Sequence, residues 1–295
     1  RYRLSEIILE RKIEYLEIIG DVIAGLKHNL IHRGEIIGNI NYTEQGVFAG
    51  ELVGNCVYDV FTAKFKSLIE EKKDKKLSTE ELEKAVRSSL ITVIYIMGNH
   101  DDWQKDSGHS PAVVFRLSLV LLLIKHIGKF LHDAGYSLFN LDEIIASNII
   151  ELPEHSTVYE FPGGICTELF HPGMARTKTT SIRAEETLGF SDCHLVDIAN
   201  FHTFFEMEKW EPGLGDRVAG QAGAMVPFTQ FERGKLKRVD FGPMYIGLRH
   251  KNRKIFMVEH EFYNKPILKR PISKNTDINT LKDKLKLLRV PYINI

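Results

Sequence analysis

Two short runs in this chain end in side chains that bind divalent cations. Ile94-Tyr95-Ile96-Met97 is apolar and largely β-branched, and it stops on Gly98-Asn99-His100-Asp101, which delivers an amide, an imidazole and a carboxylate in succession. Tyr15-Leu16-Glu17-Ile18-Ile19 behaves alike, ending on Gly20-Asp21 with Gly25 following. A buried strand that presents polar residues at its carboxyl end is where open α/β sheets place their chemistry. Taken singly, Gly, Asn and Asp explain either run as a turn. Two such strand ends in one chain point to a shared site with a mixed nitrogen and oxygen donor set.

The elements needed to position these residues are readable from hydrophobic period. An amphipathic helix over 1–12 puts Leu4, Ile7 and Ile8 on one face and leads into the Asp21 strand. A loop over 26–42 leaves that strand's end, and its His28 and Asn29 are candidate substrate contacts. A long helix is expected over 43–73, with Val47, Phe48, Val57, Val60, Phe61 and Phe65 facing the core. Ser78-Thr79-Glu80-Glu81 has the form of a capping box opening a short helix before the Asn99 strand. The loop 103–111 carries His109, a third candidate substrate contact, and a buried helix follows over 112–134. A hairpin around Pro162-Gly163-Gly164 delivers His171, and a helix over 181–188 precedes the strand Leu195-Val196-Asp197-Ile198-Ala199, which delivers Asn200-Phe201-His202. Strands are expected over 221–230, 240–249 and 254–263, followed by a tail over 266–295 with a Lys-rich helix over 279–289.

In their order and strand context these motifs resemble the calcineurin-like metallophosphoesterase superfamily, whose sites are built from D-x-H, G-D-x-x-[DX]-G, G-N-H-[DE], a lone His after a strand, and G-H-x-H. Gly20-Asp21 through Gly25 resembles the second motif, Gly98-Asn99-His100-Asp101 the third, His171 the fourth and Asn200-Phe201-His202 the fifth. The resemblance implies a four-layer α/β/β/α sandwich over 1–265, with the D-x-H strand expected upstream of Arg1. It also implies two divalent metal ions about 3.5–4 Å apart that activate a water and clamp phosphate oxygens. Asp21 then bridges the ions, Asn99 and His171 complete one protein shell, and His202 serves the other. His100 protonates the leaving oxygen or stabilises the transition state, and Asp101 orients it, since Ala24 stands where many members carry a second acid. Asn200 replaces the first histidine of the fifth motif. Its amide oxygen is a harder ligand than imidazole, which favours manganese or magnesium over zinc, with iron also compatible.

Composition narrows the class. Lys+Arg and Asp+Glu balance at 39 each, so no general basic field recruits nucleic acid and a polymer substrate needs a local patch. Arg176, Lys178, Arg183, Arg233, Lys235, Lys237 and Arg238 supply a candidate patch. Three cysteines argue for a reducing, cytoplasmic setting rather than a disulfide framework. Arg116 and Lys125 interrupt the most apolar stretch, 111–127, so a core helix is expected and no membrane partner. The function expected is a metal-dependent phosphoesterase, foremost a phosphodiesterase or nuclease, with the tail as a candidate contact for a protein partner. The alternative is a non-catalytic subunit of a nucleic-acid-processing complex, for which Asn200 is the kind of motif erosion expected.

Overall fold

The computed structural model describes residues 2–23, 41–72, 76–102, 111–152, 156–173, 179, 181–225 and 239–263. His28, Asn29, His109 and the tail over 266–295 lie outside them, as do Arg176, Lys178, Arg233, Lys235, Lys237 and Arg238. The fold is mixed α/β. In chain order the elements are α1 (Tyr2–Glu10), β1 (Tyr15–Ile19), α2 (Tyr42–Glu71), α3 (Thr79–Ser89), β2 (Thr92–Ile96), α4 (Asn99–Asp102), α5 (Pro111–Asp133), α6 (Leu141–Ser147) and β3 (Ile149–Leu152). Then follow β4 (Ser156–Phe161), β5 (Ile165–Phe170), α7 (Ser181–Phe190), β6 (Leu195–Ile198), β7 (Phe205–Glu211), β8 (Gly215–Gln221), β9 (Met244–Lys251) and β10 (Lys254–Phe262).

Local chemistry sets the helix starts. Ser78 and Glu81 form the expected capping box at α3, and Asn41 and Glu44 form a second at α2, each pair satisfying amides that the first turn leaves open. α2 and α5 then pack through a glycine stripe. A Cβ on Gly50 would stand 2.6 Å from the Phe115 carbonyl oxygen and 2.8 Å from Ser118 Cβ, so only glycine permits this approach. The stripe also explains one correction. Phe48, expected in the core, is exposed, because Gln45, Gly46 and Gly50 form the packed face and position 48 falls on the far side of the helix. α5 is long and apolar enough to cross a membrane; Ala112, Phe115, Leu119, Leu123, Ile127 and Leu131 pack into the core, while Val113, Leu117 and Leu121 are exposed.

β1, β2 and β3 form a parallel sheet in the order β1-β2-β3, with Ile19 level with Ile96 and Ile96 level with Leu152. The second sheet is mixed, in the order β4-β5-β6-β8-β10-β9, with β7 paired to β8. One apolar cluster joins the helices α1 to α3, α5 and α6 to the first sheet. A second sets Ala184 and Leu188 of α7 against Val196, Ile198 and Ala219. The third lies between the sheets, where Ile94 and Ile96 meet Leu169 and Tyr15 packs edge-on against Phe161 at 4.7 Å. Sequence period missed β3 and the β7–β8 hairpin. Of the strand expected over 221–230, Gln221 is the last residue of β8, 222–225 continue outside any strand, and 226–230 lie outside the described residues.

Glu17 shares a β1 face with Tyr15 and Ile19, so its carboxyl enters the inter-sheet space and hydrogen-bonds Asp197, which also accepts from Thr167 Oγ1 at 3.1 Å. Burial raises both acids, Glu17 well above the usual range and Asp197 to about 6. The folded state therefore binds more protons than the unfolded chain from about pH 4 upward through the folded values, and stability falls as pH rises through that window. Glu17→Gln retains a donor to Asp197 and removes one acid. Thermal melts from about pH 5 to about pH 8 should show the variant gaining on the parent as pH rises. Parallel pH profiles would refute the shared-proton account.

Candidate metal centre

Gly20 donates to the Ile96 carbonyl oxygen at 3.1 Å, so the chain leaves β1 directly beside the end of β2. Asp21 then takes φ 47°, a left-handed conformation that Asp tolerates better than most residues. Crowding requires glycine on both sides. A Cβ on Gly98 would overlap the Asp21 carboxylate, and one on Gly20 would overlap the His171 ring. His171 follows β5 in the other sheet and is 2% exposed. Its Nδ1 lies 2.9 Å from the Ile19 carbonyl oxygen, which can only accept, so Nδ1 carries a proton. The opposite nitrogen, Nε2, stands 3.1 Å from Asn99 Oδ1 and 3.4 Å from Asp21 Oδ2. In the neutral ring Nε2 is itself a lone pair, and three electron-rich atoms then face one another. Such a constellation calls for a cation at its centre or a proton on Nε2.

Electrostatics fit that geometry. Burial works against charge on Asp21, but the hydrogen bond and charge of His171, the charge of His100 and the His100 amide outweigh it and hold the carboxyl below its usual range. His171 is raised in return: burial opposes its charge, and Asp21 together with the Ile19 carbonyl prevails. His100 donates its backbone N–H to Asp21 Oδ1 at 2.9 Å, and its Nε2 lies 4.0 Å from Asp21 Oδ2. Its side chain is 17% exposed, so the ring borders both the carboxylate and solvent.

Asp101 was expected to orient His100. The structure gives its carboxylate four other donors: the Tyr95 hydroxyl at 2.8 Å, and the N–H groups of Gly98 at 3.0 Å, Val22 at 3.3 Å and Ile23 at 3.3 Å. Burial and the charge of Asp21 push it up to about 6 against these hydrogen bonds. These hydrogen bonds tie the segment after Asp21 to the segment after β2. Neither Tyr95 nor the Ile19 carbonyl was foreseen as part of the site. A tyrosine inside an otherwise aliphatic strand was the available signal, since a buried hydroxyl needs a partner.

β6 runs parallel to β5 with Ile198 level with Phe170, so the Asn200–His202 bend emerges beside His171. Asn200 Nδ2 donates to the Pro172 carbonyl oxygen at 2.6 Å, and the His202 carbonyl accepts from Asp240 at 2.8 Å. Asp21, Asn99, His100 and His171 are thus joined by direct contacts, and Asn200 is joined to the residue after His171. His202 is placed at the same strand end by register. Of the candidate patch, Arg183 lies on α7 and pairs with Glu186 at 2.6 Å. No family model matches the chain, and no curated protein matches it.

Asp101→Ala would leave the Tyr95 hydroxyl and three N–H groups without their acceptor. Denaturant unfolding should show a loss of about 3 kcal/mol or more, at the cost of a buried unsatisfied group or two. Asp101→Asn, which keeps an acceptor oxygen, should lose less. A loss below about 1 kcal/mol for the alanine variant would mean that these donors find other partners.

Proposed function

We propose that the chain is a metal-dependent phosphoesterase, foremost a phosphodiesterase acting on nucleic acid, with a metallophosphoesterase-like α/β/β/α sandwich as its architecture. The observation that carries this reading is the approach of His171 Nε2 to Asn99 Oδ1 and Asp21 Oδ2 while Nδ1 is taken by a backbone carbonyl. The donor set is carboxylate, amide oxygen and imidazole, which suits a manganese-class ion and accommodates magnesium, zinc or iron. Asp21, Asn99 and His171 would hold one ion, and Asp21 with His202 and Asn200 would contribute to a second. Bound ions supply an activated water and a clamp on phosphate oxygens.

The chain's own residues do the rest. The Ile19 carbonyl fixes the His171 tautomer, so that Nε2 faces the cation position. Asp21, held below its usual range, stays ionised at neutral pH. His100 borders the carboxylate on the solvent side, where an imidazole can hand a proton to a leaving oxygen. The sandwich reading draws support from the apolar cluster between the two sheets and from the separate helical clusters on each. The second reading, a non-catalytic subunit, is favoured by Asn200 alone, whose amide nitrogen supports the Pro172 backbone.

His100→Ala should keep its manganese, measured by elemental analysis after dialysis, and lose roughly 10²–10⁴-fold in hydrolysis of bis(p-nitrophenyl) phosphate or single-stranded DNA. His171→Ala should lose manganese itself. Manganese loss in the His100 variant would make that residue a ligand. A parent protein that binds manganese but hydrolyses neither probe would favour the scaffold.

A further inference from the structure

A second cluster of ligating side chains lies on the mixed sheet and shares no residue with the Asp21 centre. Glu206 and Glu208 sit two apart on β7 and so share a face, opposite the one through which Phe205 and Met207 pack toward α7. His260 comes from β10, a strand not paired with β7. One ligand atom from each of the three residues lies within 4.8 Å of the other two. Gly220 makes this meeting feasible. It is level with Glu206 across the β7–β8 ladder, and a Cβ there would stand 2.5 Å from Met244 Cε and 2.8 Å from Ile246 Cδ1 of β9. Ile246 is in turn level with His260. A residue without a side chain on β8 therefore lets the β9–β10 hairpin fold over the sheet and bring His260 to β7.

A second observation concerns Glu206 itself. Its side chain is 10% exposed, and Oε1 is buried without a hydrogen-bond partner among the described residues. Oε2 lies 3.4 Å from His260 Nδ1. A buried carboxylate oxygen with no donor costs free energy unless a cation or proton meets it. Two carboxylates and one imidazole form a three-ligand set for a zinc-class ion, with solvent supplying the remaining position.

We propose that Glu206, Glu208 and His260 bind one divalent transition-metal ion, zinc foremost, which fastens β7 to the β9–β10 hairpin. The site shares no residue with the Asp21 centre and stands or falls independently of it.

The test is calorimetric titration of the full chain, stripped with chelator, with zinc chloride. It is run on the parent, on Asp21→Asn/His171→Ala, and on that double variant carrying either His260→Ala or Glu206→Gln. In the double variant one zinc equivalent should remain, and it should raise the melting temperature. Adding His260→Ala or Glu206→Gln should abolish that equivalent or weaken it at least tenfold, with an unchanged far-ultraviolet spectrum confirming the fold. Glu208→Gln, at an exposed position, should weaken it in the same direction and guards against misfolding of the other two. Unaltered zinc binding in all three variants, or no zinc bound by a folded double variant, would overturn the proposal. Failure of the Asp21 centre would instead appear as identical binding by the parent and the double variant.

Discussion

The structure around the candidate centre depends on the His171 ring, which follows a strand of the mixed sheet and presents both of its nitrogens to groups at the ends of the parallel sheet's strands. Nδ1 is held by the Ile19 carbonyl of the parallel sheet, while the ring itself is carried by the end of β5 in the mixed sheet. A histidine at 2% exposure has few ways to turn, so the bond on one side decides what the other side presents. The consequences reach the neighbouring sequence. Gly20 and Gly98 must lack side chains because the imidazole and the Asp21 carboxylate fill the space a Cβ would take. Sheet packing, tautomer and glycine identity are thus one constraint seen at three levels.

Backbone conformation points to the same place. Among the described non-glycine residues with positive φ, Lys12 follows a helix and Asn252 and Arg253 form a hairpin turn, where such angles are ordinary. The other three are Asp21, Asn200 and His202. Asp21 lies just past β1, and Asn200 and His202 just past β6. Strain of this kind costs on the order of 1–3 kcal/mol per residue and persists only where the surroundings over-determine it. Here the β2 ladder holds β1 on one side, and parallel ladders hold β6 on both.

Legibility in the sequence followed the same physics. Thr92–Ile96 is readable because a buried parallel strand is a near-continuous apolar run, Tyr15–Ile19 because only Glu17 interrupts its apolar residues, and the Ser78 box because its spacing is a backbone mechanism. The β7–β8 hairpin was not. Glu206, Glu208 and Lys209 face away from the apolar cluster or out to solvent, and Gly215, Arg217 and Gly220 fill a buried strand with residues that carry no strand signal. Arg217 is buried because its guanidinium serves the Cys193 and Ser191 carbonyls and pairs with Glu211. That is tertiary information, with no periodic trace. Within the site, residue types and order were visible, whereas the four donors that claim Asp101 were not, since three of them are backbone groups.

The two neighbouring carboxylates show how environment divides identical groups. Asp21 is surrounded by imidazoles and an amide and is held below its usual range, whereas Asp101, met only by neutral donors, is pushed up to about 6. The charge of Asp21 is one of the causes that raise Asp101, so the two cannot be altered independently. An ionised Asp101 grips the Val22, Ile23 and Gly98 amides more strongly than a neutral one. Those amides belong to the two segments that present Asp21 and Asn99, so Asp101 sets the position of both.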